Sequence, residues 1–308
     1  MHGGHDHHHH GPGHSHATAG YGRTFAVTIA LNVALVAAQV VYGLWANSLA
    51  LLADAGHNFG DVIGLVMAWA AFAVADWRPS LGFTYRMQAA SILSALFNGL
   101  ILLVATGFIV FEAVQRLFEP EPIAAGPVIV VACVAVAVNG LSAWLLSRGS
   151  RSDLNMRGAF LHMMADAGVS VAVIAAAVGI ALTGWQWLDP AVSLLISAVI
   201  LIGTWRLLRD SLRLALNAAP RGIDPAAVQR YLAELPGVAG VHDLHIWAMS
   251  TTGTALTCHL VTPGGHPGDA FLQRVADELR ERFEICHATV QIELNDAGAC
   301  ALQPDTVV

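Results

Sequence analysis

SLALLADAGHNFGDVIGL, residues Ser48–Leu65, is an apolar run that carries His57 and Asp61 four positions apart. LNMRGAFLHMMADAGVSVAVIAAAVG, residues Leu154–Gly179, repeats the device with His162 and Asp166. A carboxylate at the centre of a bilayer costs about 2.5–3.5 kcal/mol on insertion scales, so such residues are rare and usually functional. On a helix, positions i and i+4 lie about 40° apart around the axis and roughly 6 Å apart along it. Each HxxxD dyad can therefore aim an imidazole nitrogen and a carboxylate oxygen at one point. Two facing dyads would supply two nitrogen and two oxygen ligands, a set suited to tetrahedral zinc. Asp54 stands three before His57 and shares its helical face. It has three open readings: a proton acceptor, part of the ion entrance, or an outer partner of the metal ligands.

The rest of the chain fits a membrane setting. Of 308 residues, 56% are hydrophobic and 12% charged, and the mean hydropathy is +0.59. Six runs are long enough to span: Thr24–Trp45, Leu49–Val74, Ala89–Phe118, Ile123–Leu146, Gly158–Leu182 and Pro190–Leu208. Arginines cluster at Arg23, at Arg78 and Arg86, at Arg148, Arg151 and Arg157, and at Arg206, Arg209 and Arg213. The opposite loops are short, with only Arg116 near them, so the positive-inside rule places both termini in the cytoplasm. Glu112 and Arg116 read as a structural ion pair. Asn32, Gln39, Asn98 and Asn139 read as interhelical hydrogen-bonding residues, and Gly56, Gly60 and Gly64 as sites of close helix approach or flexibility.

Several classes drop out. The chain has no lysine, so it holds no P-loop. No basic patch supports nucleic-acid binding, and no organic cofactor is expected. Cys133, Cys258, Cys286 and Cys300 form no CxxC pair and read as reduced thiols. Residues 1–20 begin MHGGHDHHHHGPGHSH, which lacks the apolar core of a signal peptide. Its eight histidines read as a disordered metal-collecting tail, with an expression tag as the alternative.

Residues 21–216 form the expected transmembrane domain and 217–296 a cytoplasmic α+β domain; 297–308 read as a flexible tail. The soluble part parses as helix, strand, strand, helix, strand, with helices on one sheet face. Asp224 should cap the first helix, with Pro225 at its first position. His242 and His245, three apart on a strand, should point to opposite faces, so only one meets a shared site unless the strand is distorted. His259, on the adjacent strand, could meet one of them. His287 and Glu293 bracket the last strand. A metal site is expected among these residues; His266, in a Gly/Pro loop, reads as merely exposed.

SLALLADAGHNFGDV, FTYRMQAASILSALFN, DLNMRGAFLHMMADAG, GVHDLHIWAMS and HATVQIEL together resemble the cation diffusion facilitator family, zinc-transporting branch. The likeness runs from about Phe25 to Glu293. It implies a homodimer in the bacterial cytoplasmic membrane, six spans per subunit and a metallochaperone-like cytoplasmic domain. It also implies export of Zn²⁺ in exchange for H⁺. By motif position the transport site falls on His57, Asp61, His162 and Asp166. A cytoplasmic zinc site, structural or regulatory, falls on His242, His259, His287 and Glu293. The chain departs from the family in three places. ADWRPSLGFTYR offers no histidine for the further zinc site that some members carry there. The histidine-rich run is N-terminal. Ser91 stands where many members have a glutamate.

The expected mechanism is alternating access. Expelling a divalent cation against 100 mV costs roughly twice 2.3 kcal/mol, so a passive pore would admit the metal. Imidazole titrates near about pH 6.5 and binds metal only when deprotonated, which makes proton exchange chemically simple. A non-transporting metal sensor is one rival. An intramembrane metallohydrolase is another, but it needs an open coordination position and a general base, and no HExxH occurs. Co²⁺, Cd²⁺ and Ni²⁺ accept similar ligands.

Overall fold

The structure is a computed structural model and describes residues 18–75, 81–85, 87–147 and 154–294. The histidine-rich N-terminal stretch, Arg78, Arg86, Arg148, Arg151, Cys300 and the C-terminal tail lie outside the described residues. Six long helices come first: α1 Thr18–Trp45, α2 Leu49–Ala75, α3 Ala90–Phe118, α4 Ala125–Ser147, α5 Leu154–Thr183 and α6 Leu188–Ala215. Then follow α7 Pro225–Ala233, β1 Gly240–Ala248, β2 Thr254–Val261, α8 Asp269–Phe283 and β3 His287–Glu293. Among the described residues, four helices are long and apolar enough to cross a membrane: those within α3, α4, α5 and α6. The helix α6 runs past the apolar stretch that ends at Leu208, because apolar length marks where lipid ends, not where the backbone stops being helical.

The chain forms two compact units. One comprises Met1–Val62 and Glu121–Asp189; the other comprises Ile63–Pro120 and Pro190–Val308. In the first, α4 packs along α5, and α1 packs against α4. The turn from α1 to α2 uses Asn47 at φ 55°, a left-handed conformation that asparagine tolerates. Gly43 lets α2 come close: a Cβ there would sit 2.8 Å from Leu52. The buried carboxylate of Asp189 accepts from Ser48 Oγ at 2.5 Å and from the Leu49 backbone N–H at 2.7 Å. These groups open α2, so a residue of α6 satisfies amides that α2 leaves unpaired at its start.

In the second unit the small domain is a three-stranded sheet of order β1-β2-β3. β1 and β2 pair antiparallel; β2 and β3 pair parallel. Asp224 caps α7 as expected, accepting from the Ala226 N–H at 3.0 Å, with Pro225 in the first turn. Leu256, Cys258 and Leu260 alternate along β2 and join Val228, Leu232, Val275 and Leu279 of the two helices in the core. Thr257, His259 and Val261 therefore belong to the opposite face. The expected pair of Glu112 and Arg116 is present at 3.0 Å. Ser91 ties the start of α3 to the β1–β2 turn: its Oγ accepts from the Thr251 N–H at 3.1 Å and donates to the Gln88 carbonyl at 2.9 Å.

Candidate metal centres

Residues of the two dyads approach one another crosswise: His57, His162 and Asp166 each offer a ligand atom within 4.8 Å of the others, and Asp61 joins through His162. Nε2 of His57 on α2 lies 2.8 Å from Oδ1 of Asp166 on α5. Nε2 of His162 on α5 lies 3.2 Å from Oδ2 of Asp61 on α2, and 3.7 Å from Oδ2 of Asp166. The imidazole rings stand edge to face, 5.8 Å between centroids. Ligand atoms about 2.0–2.1 Å from a tetrahedral zinc lie roughly 3.3 Å from one another, so these separations suit a shared cation. Oδ2 of Asp166 is buried and makes no hydrogen bond, leaving a lone pair for such an ion. Exposure is graded along the helices: 42% and 36% for His162 and Asp61, 22% for His57 and 1% for Asp166. The Asp61 and His162 side of the centre is therefore the more open one.

One turn beyond Asp166, the environment closes completely. Asp54 is fully buried. Its Oδ2 accepts from Gln39 Nε2 at 2.7 Å and from Ser170 Oγ at 2.9 Å. Gln39, expected to be a plain interhelical bonding residue, is thus the partner of a buried carboxylate. Asn58 holds the Gln39 amide by donating to its Oε1 at 3.1 Å.

The second cluster lies on the sheet face opposite α7 and α8. Cross-strand pairing puts His242 opposite His259. Parallel pairing puts His259 beside Gln291, so Glu293, two residues on, shares its face. Nδ1 of His259 is 3.0 Å and Nε2 of His242 is 3.3 Å from the Glu293 carboxylate. One ligand atom from each of the three lies within 4.8 Å of the others. His242 Nε2 is buried without a hydrogen bond, which fits a nitrogen awaiting a metal.

Two expectations about this cluster need correcting. His287 does not join it. It stands six residues before Glu293 on β3, about 20 Å away at the usual strand rise. Its ring packs edge-on against Tyr85, 5.4 Å between centroids. Nor do His242 and His245 face apart. The register breaks between them, so that Asp243 and Leu244 together stand opposite Cys258. This bulge restores parity and returns His245 to the face of His242. Asp243 makes it possible by adopting φ 50°, where a short polar side chain is tolerated. Its carboxylate then bridges His245 Nε2 at 2.8 Å and His259 Nε2 at 3.4 Å. Asp243 was not singled out from the sequence; the available signal was an aspartate interrupting an otherwise alternating strand. Behind it, burial pushes the Cys258 thiol up to about 12, and the Asp243 charge adds to this. Cys133, Cys258 and Cys286 are free. His266 makes a local loop contact, accepting from the Gly268 N–H at 3.0 Å.

Comparison with known proteins adds an independent line. A family model described as the cation efflux transmembrane domain matches residues 25–214, and one described as the cation efflux protein cytoplasmic domain matches 220–295. The metal cation efflux system protein CzcD of Cupriavidus metallidurans is 38% identical over 290 residues, covering 92% of this chain and 90% of CzcD. The zinc transporter ZitB of Escherichia coli is 37% identical, covering 83% of this chain and 82% of ZitB. A cadmium, cobalt and zinc/H⁺-K⁺ antiporter of Bacillus subtilis is 31% identical, covering 95% of this chain and 96% of its own.

Proposed function

This chain belongs to the cation diffusion facilitator family, and on that footing we propose that it exports Zn²⁺ from the cytoplasm in exchange for H⁺. It is an integral membrane transporter of divalent metal cations and not an enzyme. The observation that carries the finer reading is the crosswise meeting of His57 with Asp166 and of His162 with Asp61. Two imidazoles and two carboxylates neutralise a dication and complete a tetrahedron. The same four groups take up protons when the metal leaves, because metal and proton compete for the same lone pairs. Thiolate ligands are absent from this centre, which favours Zn²⁺ over softer ions, with Co²⁺ the nearest competitor.

In this reading α1 to α6 each cross the bacterial cytoplasmic membrane and both termini are cytoplasmic. α1 and α2, at 28 and 27 residues, have the length for it. The chain then enters α2 at the outer surface, so the accessible Asp61 and His162 side faces the cytoplasm, where metal is loaded. The cytoplasmic domain pairs with that of a second copy in a homodimer. His242, His259 and Glu293 hold a regulatory zinc whose binding sets that pairing, and Asp243 orients His259. Asp54 serves the transport centre as an accessory group. The N-terminal histidines collect zinc at the cytoplasmic mouth.

Zinc flux in proteoliposomes tests this. A pH gradient should drive zinc against its concentration gradient, with counter-movement of protons. Zinc binding without flux would instead identify a sensor.

A further inference from the structure

Asp54 lies outside both ligand sets, yet its carboxylate is built for a cation. Both hydrogen bonds go to one oxygen, Oδ2, from Gln39 and Ser170. The other oxygen, Oδ1, is equally buried and has no hydrogen-bond partner. Gln39 cannot turn away to relieve the crowding, because Asn58 holds its carbonyl oxygen. The charged groups that act on Asp54 are His57, on its own helix, and Asp166, on α5; α1 presents only the neutral Gln39 there. An ionised carboxylate buried with a bare oxygen is costly, so the arrangement is tolerable only if a cation shares it for part of the cycle.

Its place along the helices says which cation position this is. The contacts between α2 and α5 step in opposite senses along the chain: Asp61 with His162, His57 with Asp166, then Asp54 with Ser170. Asp54 precedes His57 by about 4.5 Å of helix rise, and Ser170 follows Asp166 by roughly 6 Å. The layer of Asp54 and Ser170 is therefore the next step after the four-ligand centre, on its more buried side.

We propose that Asp54, with Ser170 and Gln39, forms a second cation position one helical turn beyond the four-ligand centre, through which an exchanged cation passes on its outer side. The inference rests on the transport reading. One carboxylate and two neutral side chains bind a cation weakly, which is what a position that must release its ion requires. Two cations share this chemistry, the metal moving out and the proton moving in.

The test uses the full-length protein in liposomes, with pH-gradient-driven zinc flux and zinc–zinc exchange at equal pH measured side by side. Zinc affinity of the four-ligand centre is measured by calorimetry on the same variants lacking residues 2–16 and carrying His259→Ala with Glu293→Gln. Asp54→Asn keeps the shape and removes the charge. Gradient-driven flux should fall at least about ten-fold while zinc affinity stays within about two-fold. If exchange survives, the position takes the proton; if exchange falls in parallel, it takes the metal. Ser170→Ala, which removes one hydrogen bond and no charge, should slow gradient-driven flux about three-fold and covers the case that Asp54→Asn does not assemble. Unchanged flux in either variant overturns the proposal. So does a loss of zinc affinity equal to the loss of flux, since Asp54 would then merely shape the neighbouring centre. Absence of wild-type flux in the same liposomes would be the failure of the transport reading instead.

Discussion

The two candidate metal centres of this chain use similar ligand chemistry on different backbones. The helical centre repeats one interval on α2 and α5, and each interval brings its own pair to one face. The cytoplasmic centre gathers residues from three strands and depends on pairing register and on one bulge. Helical spacing is a local property, so it survives in the sequence as a readable pattern. Sheet register is not local, and one inserted residue exchanges every face beyond it. The first centre should therefore fail when its ligands are changed, whereas the second should also fail when its backbone is changed.

The largest expected effect is at the helical centre. Asp61→Ala or Asp166→Ala should abolish proton-driven zinc flux, by about a hundred-fold or more, in a dimer that still assembles. Flux near wild type at equal protein level would remove the residue from the centre. His57→Asp replaces nitrogen with oxygen and should shift the Zn²⁺/Cd²⁺ transport ratio; an unchanged ratio would show that His57 does not bind the ion.

The cytoplasmic centre should be broken by its ligands and by its bulge. His259→Ala with Glu293→Gln should remove tight zinc binding there, read by calorimetry in an Asp61→Ala background, while flux in the otherwise wild-type chain falls only a few-fold. Asp243→Val forces a β-branched residue into left-handed backbone at a cost of about 1–3 kcal/mol and should weaken zinc binding about ten-fold or more. Asp243→Asn tolerates that backbone and should lose less. Equal losses would mean that the carboxylate, not the bulge, matters. His287→Ala should leave zinc affinity unchanged; a loss of affinity would return His287 to the ligand set.

The tail should affect capture and not transfer. Deleting residues 2–16 should raise the KM for zinc about three-fold and leave kcat nearly intact. Loss of transport at saturating zinc would make the tail part of the machinery. The smallest effect concerns Cys258. Its thiol is held up by burial, so it contributes stability below the unfolded thiol range, and that stability is lost as pH rises from about 9 toward 12. Among the described cysteines, Cys258 should react last with an alkylating probe; early reaction would contradict its place in the core.

These contrasts also explain what could be read from the chain. The apolar runs and the dyads were legible because membrane length and helical period are written in consecutive residues. Asp224 and Pro225 announced α7 for the same reason. Asp189 could be read as a helix start, but nothing in its neighbourhood says that its carboxylate serves α2. Gln39 read as an interhelical hydrogen-bonding residue, but its sequence setting does not disclose Asp54 as the partner. Asp243 was missed because its role depends on a bulge, and His287 was misplaced because that turns on which end of β3 meets Tyr85. All four depend on a partner distant in sequence, and only the fold supplies it.

The central claim is that the two dyads make one four-ligand zinc centre. X-ray absorption at the zinc edge tests it directly, on protein that lacks only residues 2–16, carries His259→Ala and Glu293→Gln, and is loaded with one zinc. The account predicts four nitrogen and oxygen neighbours, two of them imidazole, at about 2.0–2.1 Å, a shell lost on Asp166→Ala. A six-oxygen shell without imidazole, or one indifferent to Asp166→Ala, would contradict it.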